Sequence, residues 1–285
     1  MTSKMKFGLI GHPIEHSLSP ALFKAGYDGR YPYDLIQTAD FEEAYARFLE
    51  EYDGINVTAP FKELAIKKAD ILSDECQKIG ATNLLVKTPE GIKAYNSDYL
   101  GLRLWIGQIS RLASLARNDK EKAVRNDKEK AARNDKDEAV RNDKMPTILI
   151  VGLGGAGKAA AEAARSLECE VTLMNRTQYT DDIRPLSEFR EAFKAADIII
   201  YNLPVRLPEL DSLGQEDFIE GRPKYIMEAN YRNPSFDDQL VEKLTGIHPH
   251  VKYTGGQTWL LLQALTGYEI FTGEKPDLEK MAARL

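Results

Sequence analysis

The sequence predicts a two-domain α/β protein, with an N-terminal α/β domain over residues 1–101 and a doubly wound parallel sheet over residues 145–255. Three observations carry that reading. Strand-like runs alternate with amphipathic stretches between Lys6 and Tyr95. An apolar run, Thr147–Val151, leads directly into a glycine-rich loop and then an alanine-rich stretch. Between the two halves lies a charged repeat whose apolar residues, mostly alanine with Val124 and Val140, are too small to build a core. A chain of 285 residues has room for two domains of ordinary size.

In the first half, Lys6–Gly11 reads as a strand, Pro20–Tyr27 as a helix and Tyr33–Gln37 as a strand. Phe41, Ala44, Tyr45, Phe48 and Leu49 recur at helical spacing, so Phe41–Glu51 is expected to be an amphipathic helix. Gly54–Val57 follows as a short strand and Phe61–Ala69 as a helix. Asn83–Lys87 is a strand expected to pair with Ile92–Tyr95. Ser19 precedes Pro20, which suits the first helical position, so Ser19 reads as an N-cap.

Residues 102–144 are expected to hold a linking helix and an insertion. The tetrad Arg-Asn-Asp-Lys begins at Arg117, Arg125, Arg133 and Arg141, a period of eight. That period fits neither a heptad seam nor a known solenoid repeat. Eighteen of the 28 residues from 117 to 144 are charged, so the segment reads as a solvated insertion with no part in the chemistry.

In the second half, Thr147–Val151, Lys158–Leu167 and Glu170–Met174 form a strand–helix–strand unit. Ala196–Tyr201 and Tyr225–Glu228 are further strands of what reads as a Rossmann-type sheet. Thr258–Gly267 and Leu278–Leu285 are helical by spacing, and their apolar faces need a partner.

Composition narrows the partners. The net charge of −6 leaves no basic footprint for nucleic acid. No apolar run approaches the roughly 20 residues that span a bilayer, and Met1–Ile10 has no signal-peptide pattern, so a cytoplasmic protein is expected. Cys76 and Cys169 lack metal-ligand spacing and read as buried reduced thiols, with neither metal nor disulfide.

The loop Gly152-Leu153-Gly154-Gly155-Ala156-Gly157 follows a strand and opens a helix, the context in which it marks a dinucleotide site. Gly152 permits the tight turn and Gly154 lets backbone approach a pyrophosphate. Gly157 lets helix and strand pack closely. The free N–H groups of the helix start, with Gly155 and Ala156 among them, attract the anion. The second strand ends in Asn175-Arg176-Thr177, where an NAD site carries a carboxylate for the ribose 2′-hydroxyl. Arg176 can pair with a 2′-phosphate, and Asn175 and Thr177 can add hydrogen bonds, so the cofactor expected is NADP.

Four polar clusters lie outside that unit. They are His16-Ser17-Leu18-Ser19-Pro20, Asn56-Val57-Thr58-Ala59-Pro60-Phe61-Lys62, Gly80-Ala81-Thr82-Asn83 and Asn96-Ser97-Asp98. Lys62 stands out because a helix N-terminus disfavours a cation. With the glycine loop, Asn175-Arg176-Thr177 and Gln263, these clusters resemble the shikimate dehydrogenase family over nearly the whole chain except the insertion. The resemblance implies an N-terminal substrate domain, completed by the C-terminal helices over 256–285, beside an NADP-binding domain. It implies reduction of 3-dehydroshikimate to shikimate with NADPH, with the active site in the cleft between the domains. Lys62 and Asp98 would be the catalytic pair. Ser17 and Ser19 would bind the substrate carboxylate, with Tyr231 nearby, and Thr58, Asn83 and Gln263 the ring hydroxyls. The protein would act on this small molecule as a monomer or homodimer.

The chain departs from the family pattern at several positions. Phe23 replaces a histidine, Thr258-Trp259 replaces Gly-Met, Glu228 replaces an aspartate and Thr180 stands where a basic residue is frequent. The stretch from Asn202 to Pro208 also differs. Three other readings compete: a quinate/shikimate dehydrogenase that also accepts NAD, a non-catalytic paralogue that binds shikimate-like ligands or nucleotide, and a partner-binding scaffold that uses the charged repeats. Retention of both Lys62 and Asp98 favours an enzyme. On that reading, excision of residues 117–144 is expected to leave steady-state turnover nearly intact, and a large loss of kcat in the shortened protein would refute it.

Overall fold

The structure, a computed structural model, describes residues 5–111 and 145–285. The Arg-Asn-Asp-Lys repeats lie outside the described residues. Two six-stranded sheets organise the described residues.

The first sheet contains β1 (Phe7–Gly11), β2 (Tyr33–Gln37), β3 (Gly54–Val57), β4 (Ile71–Leu72), β5 (Leu84–Thr88) and β6 (Gly91–Tyr95), in the order β2-β1-β3-β5-β6-β4. β1 lies parallel to both β2 and β3, so the loops after β1 and β3 emerge at the same end. β5 and β6 pair as expected and run antiparallel, from Leu84↔Tyr95 to Thr88↔Gly91. The helices are α1 (Ser19–Gly26), α2 (Phe41–Glu51), α3 (Lys62–Ala65) and α4 (Asp74–Ile79). α2 matches the sequence reading at both ends. Asp40 caps it by accepting from the Glu42 and Glu43 amides, and Phe41, Ala44 and Phe48 face the core while Leu49 stays exposed.

Two sequence expectations need correction here. Ser19 is not an N-cap: α1 begins at Ser19, its N-cap is Leu18 without a side-chain bond, and Ser17 Oγ accepts from the Ser19 amide at 3.2 Å. The Ser17 hydroxyl therefore holds the turn, and Ser19 takes the first helical position with Pro20 behind it. The helix expected over Phe61–Ala69 is α-helical only from Lys62 to Ala65. It tightens into a 3₁₀ turn at Ile66–Lys68, because the chain must drop at once into β4.

A further helix, α5, runs over residues 97–111. Beyond it, the second sheet contains β7 (Thr147–Val151), β8 (Glu170–Met174), β9 (Ile183–Arg184), β10 (Ile198–Tyr201), β11 (Lys224–Glu228) and β12 (Val251–Thr254). All its pairs are parallel, in the order β12-β11-β10-β7-β8-β9. Counted from β7, this is the doubly wound order 3-2-1-4-5-6, with a topological switch point between β7 and β10. Its helices are α6 (Gly155–Arg165), α7 (Phe189–Ala195), α8 (Pro208–Asp211) and α9 (Asp238–Ile247). α6 starts three residues before the expected Lys158, because the glycine loop itself forms the first turn. Its alanines let it lie close on the sheet, with Ala160, Ala161, Ala163 and Ala164 in one core with Ile148, Ile150, Ile198 and Ile200.

The last helices, α10 (Gly256–Thr272) and α11 (Leu278–Ala282), return to the first sheet. Ala264, Tyr268, Phe271 and Met281 share a core with Phe7, Leu22, Phe23 and Leu84. Phe23 sits at its centre, against Phe7, Tyr27, Tyr33 and Tyr268. The departure from histidine at this position is thus a packing matter. Cys76 and Cys169 are free and buried. No helix among the described residues is long and apolar enough to cross a membrane.

Lys224 is 2% exposed and ends α7 from the side. Its Nζ donates to the carbonyls of Phe193, Ala196 and Lys194 at 2.5, 2.6 and 3.3 Å, in the position where a helix C-terminus favours a cation. Burial, with Arg222 nearby, nevertheless pushes its ammonium down to about 7. The unfolded chain, with an ordinary lysine near 10.5, therefore binds more protons than the folded one between these values, and stability rises with pH there. We expect the stability difference between wild type and Lys224→Met to move in favour of wild type by about 2 kcal/mol from pH 7 to pH 9. Urea unfolding of both proteins at the two pH values checks this; a pH-independent difference contradicts it.

Candidate active site

A cavity of about 300 Å³ opens where the loops after β1, β3 and β11 meet α5 and α10. All eight residues expected to touch substrate line it: Ser17, Ser19, Thr58, Lys62, Asn83, Asp98, Tyr231 and Gln263. The first sheet brings most of them together. Ser17 and Ser19 follow β1, Thr58 follows β3, and Lys62 is the first residue of α3. Asn83 precedes β5 and Asp98 lies in the first turn of α5. Gln263 comes from the middle of α10, and Tyr231 from the second half of the chain.

Lys62 Nζ bonds Asp98 Oδ2 at 2.5 Å, and the lysine side chain retains 21% exposure, towards the cavity. The pair is held from below. Asn83 is buried, its Oδ1 accepts from the Ser97 amide at 2.7 Å, and its Nδ2 donates to Ser97 Oγ at 3.0 Å. That clamp fixes the start of α5 one residue before Asp98. The same Nδ2 reaches Gln263 Oε1 at 3.4 Å, so the two amides stand side by side. Trp259 Nε1 donates to the Asp98 carbonyl at 3.3 Å from α10. The departure from Gly-Met thus places a buried indole against the backbone of the acid. Asn56 accepts from Tyr33 Oη at 2.8 Å, and Tyr268 Oη donates to the Ser19 carbonyl at 3.1 Å, so a half-buried and a buried tyrosine support the wall.

The glycine loop reaches the same place. A Cβ on Gly155 would stand 3.8 Å from Lys62 Cδ. A smaller cavity of about 100 Å³ shares Asp98, Tyr231, Leu260 and Gln263 with the large one and extends to Ala156 and Ala229. The loop fits a dinucleotide on three counts. Gly152 has φ +90°, open to glycine, and a Cβ on Gly157 would stand 1.9 Å from the Gly152 carbonyl oxygen. Among the described residues, a Cβ on Gly154 would meet nothing within 4 Å beyond its own chain neighbours, so the loop leaves room there for a phosphate at the α6 N-terminus. At the switch point, Asn202 Oδ1 is buried with no hydrogen-bond partner among the described residues. Asn175 is engaged locally, accepting from the Leu153 amide at 3.3 Å and donating to the Thr177 carbonyl at 3.0 Å. It shapes the loop, while Arg176 and Thr177 stay exposed at the end of β8. Among the described residues, no group of three or more His, Cys, Asp or Glu side chains is placed to hold a metal.

Sequence reasoning passed over Arg232 and Tyr268, both of which line the large cavity. Tyr268 sits in a helix that reads as apolar, which hides its hydroxyl. Arg232 follows Tyr231 between two asparagines, and that turn signature was the available signal. It also missed what Glu228 does. This carboxylate is fully buried and accepts from the Ser235 and Phe236 amides at 2.5 and 3.0 Å, fixing the loop that carries Tyr231. Burial raises its proton affinity, and the two amides oppose that shift.

With this geometry in place, the likenesses to known proteins are consistent. Residues 9–85 match the shikimate dehydrogenase substrate binding domain. Residues 109–226 match the NAD binding domain of D-isomer specific 2-hydroxyacid dehydrogenases. The shikimate dehydrogenase (NADP(+)) of Ignicoccus hospitalis is 28% identical over 295 residues, covering 99% of this chain and 98% of that one. Its counterpart in Aquifex aeolicus is 27% identical, covering 94% and 91%. The crystal structure of shikimate 5-dehydrogenase from Thermus thermophilus in complex with shikimate superposes with a TM-score of 0.71 at 25% identity, covering 98% of this chain and 97% of that one. Over nearly its whole length the chain is thus similar to shikimate dehydrogenases, and its residues 9–85 match that family's substrate binding domain.

Proposed function

We propose that the protein reduces 3-dehydroshikimate to shikimate with NADPH, and that Lys62 and Asp98 carry the proton chemistry. The single observation behind this reading is the Lys62–Asp98 pair, facing one cavity with six neutral hydrogen-bonding residues and lying against the glycine loop. Gly152, Gly154, Gly155, Ala156 and Gly157 would hold the pyrophosphate, and Asn175, Arg176 and Thr177 the 2′-phosphate end. The chemistry needed from the bound dinucleotide is a hydride for the carbonyl carbon.

The protein's own part is to place the ring and supply a proton. Lys62 donates that proton to the carbonyl oxygen as it becomes a hydroxyl. Asp98 accepts from Lys62 and holds its Nζ in line. Thr58, Asn83 and Gln263 bind ring hydroxyls, and Ser17, Ser19 and Tyr231 bind the carboxylate. A wall of this kind penalises analogues that lack a hydroxyl, because a buried donor or acceptor left unpaired costs about 1–3 kcal/mol.

The direct test is formation of reduced nicotinamide from shikimate with NADP or NAD, with quinate in parallel. Turnover with shikimate and NADP supports the reading. Turnover with quinate and NAD at comparable efficiency moves it to a quinate/shikimate dehydrogenase, and silence in every combination moves it to a binding protein. Lys62→Ala is expected to lower kcat by about 10²–10⁴-fold with a modest change in KM, and near-normal turnover would remove Lys62 from the mechanism. Two glycine substitutions separate the ligand from the fold. Gly154→Ala should leave Tm within about 2 °C of wild type yet weaken dinucleotide binding, whereas Gly157→Ala should lower Tm by about 4 °C or more. Equal effects of both on Tm would show that Gly154 serves packing.

A further inference from the structure

We propose that Arg232 makes the cavity selective for an acid over its neutral analogues, by pairing with the ring carboxylate beside Ser17 and Ser19. The inference rests on the reading above, which assigns that end of the cavity to a carboxylate. It adds the cation that the neutral residues lack.

The position of Arg232 is built. It lies in the loop after β11, where Asn230 Oδ1 accepts from the Arg232 and Asn233 amides at 3.2 Å each. Asn230 Nδ2 closes the turn by donating to the Asn233 carbonyl at 2.7 Å. From this turn the Arg232 side chain crosses to the other domain, where Nη2 donates to the His16 carbonyl at 2.9 Å. His16 immediately precedes Ser17, so the guanidinium is at the serine end of the cavity, which it lines. One bond to a carbonyl uses one of five guanidinium donors, leaving a fork that matches a carboxylate.

Charge points the same way. Among the described residues, the charged ones lining the cavity are Lys62, Asp98 and Arg232. Lys62 and Asp98 are paired at 2.5 Å and together contribute no net charge. Among the described residues, no carboxylate lies within ion-pair distance of Arg232, so the cavity carries one net positive charge and Arg232 is its source. Serine and tyrosine hydroxyls already bind a carboxylate somewhat better than its ester, through charge-assisted hydrogen bonds. A guanidinium beside them strongly favours the anion. Arg232 is exposed, which keeps the effect well below that of a buried pair.

The experiment is calorimetric titration of wild type, Arg232→Met and Arg232→Lys with shikimate and with its uncharged methyl ester. Wild type is expected to prefer the acid. In Arg232→Met the affinity for the acid should fall about tenfold while the ester changes less than about twofold, and Arg232→Lys should lie between. Unchanged ester binding also certifies that the variant site is intact. Two results overturn the inference and leave the parent reading standing. In one, the acid preference of Arg232→Met equals that of wild type. In the other, acid and ester weaken by the same factor, which would make Arg232 a shaper of the loop only. Wild type that binds neither compound overturns both.

Discussion

The site depends on where α5 begins and what it lies against. Its first turn carries Asp98, and the Asn83 amide clamps Ser97 on both the backbone and the hydroxyl. One turn further on, a Cβ on Gly101 would stand 2.7 Å from the Gln263 amide nitrogen and 3.0 Å from the Leu262 carbonyl carbon. α5 and α10 therefore touch backbone to backbone, and no larger residue at Gly101 could preserve that approach. The next turns bury Leu102, Trp105 and Ile106 in a core shared with Ile148, Ile150 and Trp259. One helix start thus sets the acid, the adjoining glutamine and the seat of the second sheet.

That coupling explains how residues from two sheets reach one cavity with fixed spacing. α4 packs on α6 through Ile79, Ala81 and Ala159, and Lys78 pairs with Glu162 at 3.0 Å along the same seam. Across the cleft, Lys158 at the start of α6 meets Glu63 at 3.3 Å, next to Lys62. The apolar contact supplies most of the adhesion, since exposed ion pairs of this kind contribute at most about 1 kcal/mol each. The glycine loop is consequently held over Lys62 by α6.

Much of this was legible in the sequence, for stated reasons. The glycine loop with its flanking strands was readable because no cheaper sequence solves a turn at φ +90° followed by helix–strand contact at Gly157. α2 was readable because half of it faces water, which imposes a period. α10 was readable by spacing over Thr258–Gly267, but its full extent, Gly256–Thr272, was not, because it is apolar around much of its circumference and packs on both sheets. β4 and β9 have two residues each, and only their neighbours β6 and β8 make them strands. α4, α7 and α9 are short, and their apolar positions find meaning only against a core that comes from elsewhere in the chain. The site was legible by residue type and cluster. The distance from Lys62 to Asp98 was not, because 35 intervening residues and two sheet edges set it.

The departures from the family pattern fall into place by the same logic. Phe23 and Trp259 fill volume beside the site, and Trp259 adds a donor to the Asp98 backbone. Glu228 has the reach to take two amides of the following loop, and Tyr253 adds a third, longer contact at 3.3 Å. A carboxylate with three donors tolerates burial that an unpaired one would not. What it secures is the stretch from Ala229 to Phe236, and within that stretch the Asn230 turn aims Tyr231 and Arg232 at the other domain. The anchor at Glu228 is therefore upstream of recognition: it lets a loop on the nucleotide sheet supply a wall, and a charge, to a cavity built mainly by the other sheet.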